Sequence, residues 1–422
     1  MKNYNEFLAD LSTLISINSE ESTPLPNKPF GEGIYLALNA FLDIAKRMGF
    51  ETFNYDNYMG EVRFGQGQEI GVIGHLDVVP AGIGWNTPPY QLTKIGDTFY
   101  GRGLSDDKGP LLIFLYALKE LKDSGKPINK TFRLFVGCDE ESGWKDLDYL
   151  KTKTTIPEYG FSPDGNFPVS YSEKGTAKIT FILPKLNQFT CLSGGTVVNA
   201  VCALATAKTT EKGVDLTLLK KHGLTLNNGV ITSVGKSAHG SQPQLGINAL
   251  VNLFKYFSAM GEDVDKVINT VLNPAPFFSK LVNEQGKTTL SAGLLSEDEN
   301  SVYITCDLRV PAPFTFEDAF AVLDTFNIPY QREKGHPPVM VAKDGWFVNA
   351  LISAYNSVMG ENLSPVPMGG STFARAFEKG CAFGIEFPSK SCAIHEPNEF
   401  TTEKFIFDSY KIYLTALENL TK

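Results

Sequence analysis

Apolar residues at positions 4, 7, 8, 11, 14 and 15 recur with the spacing of one helix face and predict a helix from Tyr4 to Ile15. A second stripe, Ile34, Leu38, Phe41, Leu42, Ala45 and Met48, stops at Gly49. The unbroken apolar string Ile70–Ile73 reads as a buried strand. The segment PLLIFLYALKELKDSG opens on Pro110 in a first helical turn and closes on Gly125, so it reads as a helix punctuated at both ends. TFRLFVGCDEE is another buried strand whose far end carries acids. Strands alternating with helices imply an α/β layer on a largely parallel sheet.

From about residue 175 the pattern changes. GTAKITFIL alternates like a half-buried strand, and LTLNNGVITSVG reads as a hairpin whose Asn228-Gly229 turn takes positive φ angles. A helix through Leu250, Leu253, Phe254 and Phe257 follows, then the strand SVYITCDLRV and a helix from Phe316 to Phe326. This is the order of an α+β module on an antiparallel sheet. After Gly335 the helix/strand alternation resumes in GWFVNALISAYNSVMG, CAFGIEFP and a helix from Thr402 to the end. The expected organisation is therefore a discontinuous catalytic domain, residues 1–174 plus 336–422, with a lid domain of residues 175–335 inserted into it.

Composition narrows the function. Of 422 residues, 20% are charged and 42% hydrophobic, with 30 Phe and 16 Tyr, which is too apolar for a disordered chain. A net charge of −9 without a basic stretch argues against a nucleic-acid partner. No apolar run reaches the roughly 18–20 residues of a membrane span, and acids interrupt the first residues before a secretory core forms. The six cysteines are scattered with no CxxC pair, and read as buried small hydrophobes in a reducing compartment. A soluble cytoplasmic protein is the expectation.

Acids and imidazoles sit where strands end. His75 closes an apolar strand in GHLDVVPAG, with Asp77 two positions on and so on the same face if the strand continues. Asp106 and Asp107 stand side by side in GRGLSDDKGP; a metal ion, a helix cap or plain hydration would each relieve their repulsion. Glu140 and Glu141 point opposite ways at another strand end, so that one can bind metal while the other stays free as a base; a solvated acidic loop is the plainer reading. Asp164 lies in a Pro/Gly turn, in SPDGNFP. Placement raises the joint weight of these residues, because sites in open α/β sheets form beyond the carboxyl ends of the strands. His395, in IHEPNE, would join them there. Two imidazoles and three carboxylates suit zinc, with manganese or cobalt as alternatives, and are enough for two ions that share a carboxylate.

The motifs GHLDVVPAG, GRGLSDDKGP, DEESGW, SPDGNFP, GKSAHGS, GGSTFAR and IHEPNE, in this order, resemble the di-zinc exopeptidases, peptidase family M-20, and within that family the branch of dipeptidase PepV. The resemblance implies an α/β/α catalytic domain with an inserted α+β lid. It implies that His75, Asp106 and Asp164 hold one zinc and Asp106, Glu141 and His395 the other, with a cis bond between Asp106 and Asp107. Asp77 would orient His75. Glu140 would be the general base for a water between the metals. From the lid, His239 would bond the oxyanion with help from Asn199. Arg309, with Gly370, Ser371 and Thr372, would take the substrate's carboxylate. The implied activity is zinc-dependent hydrolysis of unblocked dipeptides; the alternative is a related amidohydrolase that deacylates N-acyl amino acids. The partners would be a small peptide substrate and, at most, a second copy of the chain. Two features depart from the PepV branch: a shorter lid, which leaves monomer and homodimer both open, and Ser371 and Phe373 where Gly and Tyr are usual.

Overall fold

The computed structural model describes residues 1–209, 213–384, 386–388 and 391–421, so Ile385 of the CAFGIEFP segment and the terminal Lys422 lie outside the described residues. The chain divides into two compact units. One comprises Met1–Ser172, Val339–Pro367 and Thr372–Lys422, the other Glu173–Pro338 and Met368–Ser371. Gly370 and Ser371 thus group with the second unit, and Thr372 with the first.

The main sheet of the first unit has nine strands among the described residues; Ser170–Glu173 extends it antiparallel to Lys379–Ala382, beyond six strands that run in the order Glu51–Tyr55, Met59–Gly65, Lys130–Gly137, Gln68–His75, Tyr159–Ser162, Lys379–Ala382. The last four are parallel to one another, whereas the first two pair antiparallel at the edge, so the sheet is parallel only at its centre. Strand alternation divides the apolar side chains between two faces. Ile70, Val72, Phe132, Leu134 and Val136 join one core with the helices Tyr4–Ser16, Glu32–Arg47, Lys108–Asp123, Trp346–Met359 and Glu403–Leu420. Ile73 and Phe135 join a smaller core with Leu147 and Leu150 of the helix Lys145–Lys153. A sheet covered on both faces is the α/β/α arrangement that the apolar strings imply.

A second, three-stranded sheet has no counterpart in the sequence reading. Phe400–Thr402 pairs with Thr98–Tyr100, which pairs with Thr93–Ile95. Strands of three residues carry too few positions for an alternation to register.

The second unit is built on an eight-stranded antiparallel sheet. Along Gly175–Pro184 the residues Ala177, Ile179, Phe181 and Leu183 are buried in alternation, and they share a core with Leu250, Leu253, Phe254 and Phe257 of the helix Ala249–Ala259. The hairpin turn has Asn228 and Gly229 at φ 48° and 75°. The helix Phe316–Asp324 starts from a capping box of Thr315 and Asp318. Five of the six cysteines are buried as expected, but Cys191 is exposed.

Candidate active site

His75 is the last residue of its strand and lies in register with Gly137 of the parallel neighbour. Glu140 and Glu141 come three and four residues after Gly137, and Asp164 comes two residues after the next parallel strand ends at Ser162. Asp106 arrives differently. It follows no strand of the main sheet, contrary to the expectation, but ends the loop between Thr98–Tyr100 and the helix Lys108–Asp123. Pairing of Phe400–Thr402 with Thr98–Tyr100 sets that loop beside the one carrying His395, and the Gly101 N–H donates to the Glu399 carbonyl at 3.1 Å. The small sheet therefore brings together two ligand candidates 289 positions apart in the chain (395 − 106).

Asp106 turns one oxygen to each imidazole: Oδ1 lies 3.0 Å from His75 Nε2, and Oδ2 lies 2.8 Å from His395 Nε2. His395 Nε2 is also 3.1 Å from Glu141 Oε1, and His75 Nε2 is 3.9 Å from Asp164 Oδ2. Donor atoms of His75, Glu140 and Asp164 lie within 4.8 Å of one another, as do those of His75, Asp106 and Glu141. Metal–ligand bonds of roughly 2.0–2.2 Å in tetrahedral array put donors about 3.4 Å apart, and these separations bracket that value. The peptide bond Asp106–Asp107 is cis.

The electrostatics call for positive charge. Burial, and then the charge of Asp106, raise the Asp164 pKa to about 8. Burial also pushes Glu140 well up, with Asp164 and Glu141 adding to it, and raises Glu141, where Asp106 adds. Burial works against charging His395, yet its hydrogen bonds to Asp106 and Glu141 prevail and lift its pKa to about 11. Burial thus works against ionising Asp164, Glu140 and Glu141, whereas at Asp106 burial is outweighed by hydrogen bonds to His395 and His75, which hold its pKa well below the usual carboxylate range. A divalent ion would supply the positive charge that these oxygens share and ease their ionisation. The donor set fits such an ion.

The surroundings fix the donors. His75 Nδ1 meets the backbone carbonyl of Asp77 at 2.9 Å and its carboxylate Oδ1 only at 3.4 Å, while Asp77 Oδ2 accepts from the Glu141 N–H at 3.0 Å. Asp77 thus holds both the imidazole and the glutamate loop. Asp107 is the N-cap residue of its helix but makes no side-chain cap; its Oδ2 accepts from the His75 N–H at 3.3 Å. Trp144 Nε1 donates to the Glu140 carbonyl at 2.8 Å. Buried Asp146 accepts from the N–H groups of Cys138 and Asp139 at 2.7 and 3.1 Å. Phe373 is fully buried, edge-on to His75 at 6.4 Å and to Trp144 at 5.0 Å, so it is a wall of the site and not a substrate contact. Thr372 is buried too, and its hydroxyl accepts from the Ala374 N–H as a cap.

The remaining site candidates gather within the second unit. Ala200 bridges His239 and the Gly240 N–H donates to the Asn199 carbonyl at 2.7 Å, so Asn199 and His239 are neighbours. His239 Nδ1 accepts from the Ser241 N–H at 3.2 Å, which leaves the proton of the neutral ring on Nε2. Arg309 is buried; its Nε lies 2.8 Å from Asp307 Oδ2 and its Nη1 lies 3.5 Å from the carbonyl of Gly369, next to Gly370 and Ser371. A carboxylate partner for Arg309 was not foreseen.

Sequence reasoning also missed Arg102, Glu399 and Asp146. All are charged residues in loops or at a helix start, which pattern reading assigns to solvent, and all are buried.

A parallel-centred α/β/α layer with imidazoles and carboxylates beyond its strand ends is the architecture of a hydrolase that works with metal ions. The chain belongs to peptidase family M20/M25/M40, whose model matches residues 71–419, and it is thus a peptidase. It is 31% identical to a Staphylococcus aureus (strain USA300) protein named "Putative dipeptidase" over an alignment covering 99% of this chain and 97% of that protein. Among solved structures it superposes on human carnosine dipeptidase 1 with a TM-score of 0.61 at 15% identity, covering 99% and 97% of the two chains. It also superposes on the YXEP protein of Bacillus subtilis, titled a dinuclear metal binding peptidase from the M20 family, with a TM-score of 0.54 at 10% identity and full coverage of both chains (100% and 100%). At such identities these likenesses bear on the fold. Among the described residues, no helix is long and apolar enough to cross a membrane.

Proposed function

We propose that the chain is a dipeptidase that hydrolyses unblocked dipeptides with the help of two divalent cations, zinc being the ion that the donor set suits best. The observation that carries this reading is the stance of Asp106, one oxygen toward each of two imidazoles. His75, Asp106 and Asp164 would hold one ion, and Asp106, Glu141 and His395 the other. When bound, the ions lower the pKa of water and favour negative charge on the carbonyl oxygen of the scissile bond.

The protein's own groups do the rest. Glu140 takes a proton from the attacking water, whose oxygen bonds to the carbonyl carbon; as the C–N bond breaks, Glu140 returns the proton to the leaving nitrogen. Burial raises the Glu140 pKa, the direction that favours accepting a proton. His239, with its proton on Nε2, supplies a donor for the oxyanion, and Asn199 stands beside it. Arg309 and the Gly370–Thr372 segment would take the substrate's carboxylate. The same reading has a small peptide as substrate, no nucleic-acid or membrane partner, a monomer or homodimer, and a cytoplasmic setting, which the six free cysteines support.

Glu140→Ala should lose roughly 10³-fold or more in kcat while still taking up metal, measured with a reconstituted dipeptide assay and elemental analysis. Near-normal turnover would remove Glu140 from its role. Faster cleavage of N-acetylated than of free dipeptides would sink the dipeptidase reading in favour of a deacylase.

A further inference from the structure

Arg102 and Glu399 form an ion pair at 2.8 Å with 1% and 0% exposure. Burying such a pair is weak ground for stability, because desolvation offsets most of the attraction. The other hydrogen bonds of the two residues suggest what it is for. Glu399 Oε1 accepts from the N–H groups of Ser105 and Asp106 at 2.8 and 3.2 Å, and Oε2 accepts from Gly103 N–H at 3.1 Å. Arg102 Nη2 donates to the carbonyl of Pro80 at 3.3 Å, and its guanidinium lies 5.3 Å from the Trp85 ring. One salt bridge thus ties together the loop after His75, the loop that ends in Asp106 and the loop that follows His395.

A second buried pair in the same unit does none of this. Glu61, at 0% exposure, receives only side-chain donors: Arg133 Nε and Nη2 at 2.8 and 2.9 Å, Arg63 Nε at 2.7 Å and the Tyr55 hydroxyl at 2.7 Å. Among the described residues it touches no ligand loop, and it serves as an internal control.

We propose that Glu399, held by Arg102, is a positioning residue for the carboxylate that both cations would share: by gripping the backbone of Ser105 and Asp106 it aims the two Asp106 oxygens at the two imidazoles. This rests on the two-cation reading above. A displaced Asp106 backbone would misplace a ligand of both sites together, so the signature is loss of affinity for both ions and not for one.

The test is Glu399→Gln beside Glu61→Gln and wild type, each checked for folding by circular dichroism and titrated with Zn²⁺ against a chromophoric chelator. In Glu399→Gln an amide N–H₂ replaces one oxygen and faces groups that themselves donate. Both binding constants should weaken by about 10- to 100-fold, and at saturating metal kcat should fall with KM little changed. Glu61→Gln should lose stability with unaltered zinc affinity. Arg102→Lys and Glu399→Asp, which keep the charges, should show smaller losses and stand in should Glu399→Gln not fold. Unchanged zinc affinity in a folded Glu399 or Arg102 variant, with wild type binding normally, overturns this inference alone. Wild-type protein that takes up no zinc overturns the two-cation reading and this inference with it.

Discussion

The two units bury different chemistry. Within the first, Arg102, Asp106, Asp107, Lys108, Asp139, Asp146 and Glu399 are all buried near the strand ends, and the Glu61–Arg133 pair lies inside the sheet. In the second, the core is aliphatic and aromatic, with Phe181, Phe189, Phe254 and Phe257 fully enclosed; its buried charges among the described residues are Glu173, Lys174, Glu262, Asp307 and Arg309. Apolar burial stabilises by about 25 cal/mol per Å², whereas each charge taken from water must find partners to break even. The second unit is therefore organised for shape. The first accepts an electrostatic penalty where donors must converge, as functional sites commonly do.

The largest effect expected from this contrast concerns metal. Chelation should abolish hydrolysis, and added Zn²⁺ or Mn²⁺ should restore it and raise the melting temperature, by about 2.7 kcal/mol of stability at a hundredfold excess over Kd. Full activity in rigorously metal-free protein would erase the contrast. Next comes Phe257→Ala, which removes a ring tilted 34° against Phe189 at 4.3 Å between centroids in the second unit. It should cost about 3–5 kcal/mol by denaturant midpoint.

Arg133→Met should cost about 3 kcal/mol, because Glu61 stays buried with less compensation, whereas the double change with Glu61→Leu should recover much of that loss. A double variant as unstable as the single would mean that the pair itself stabilises the fold.

Acid sharpens the same point. Burial opposes ionisation of Glu61, but hydrogen bonds from Arg133, Arg63 and Tyr55 prevail and lower its folded-state pKa. Its contribution is then complete above the unfolded value of about 4.3 and lost as pH falls through the folded one. The stability gap between wild type and Glu61→Gln should be flat near neutral pH and close in acid; a gap that widens in acid would reverse the sign. The smallest effect is Thr315→Ala, which removes a capping box at the start of a helix in the second unit and should cost about 1 kcal/mol.

Much of this was legible beforehand. The helix stripes, the Asn228-Gly229 turn and the two-unit order followed from periodicity and turn chemistry. His75, Glu141 and Asp164 could be found because each lies at or just past the end of an apolar run. Asp106 and His395 were identified by motif, but their approach depends on three-residue strands that leave no periodic trace. Glu399 lay within the IHEPNE motif without a role, for a carboxylate in a polar loop is ordinarily solvated. The glycines flanking Arg102 and the FTT run after Glu399 were the only local hints that both are enclosed.

Local order in the chain was enough to set the longer strands and helices and the side chains at their ends, because those properties depend on neighbours a few residues away; the three-residue strands lie below that reach. Tertiary structure alone decided that Glu399 grips the Asp106 loop, that Asp107 serves His75 in place of a helix cap, and that Phe373 walls the site. The first two depend on which distant backbone donors are left without water and the third on which apolar rings meet, and burial of either kind exists only after the chain has closed on itself.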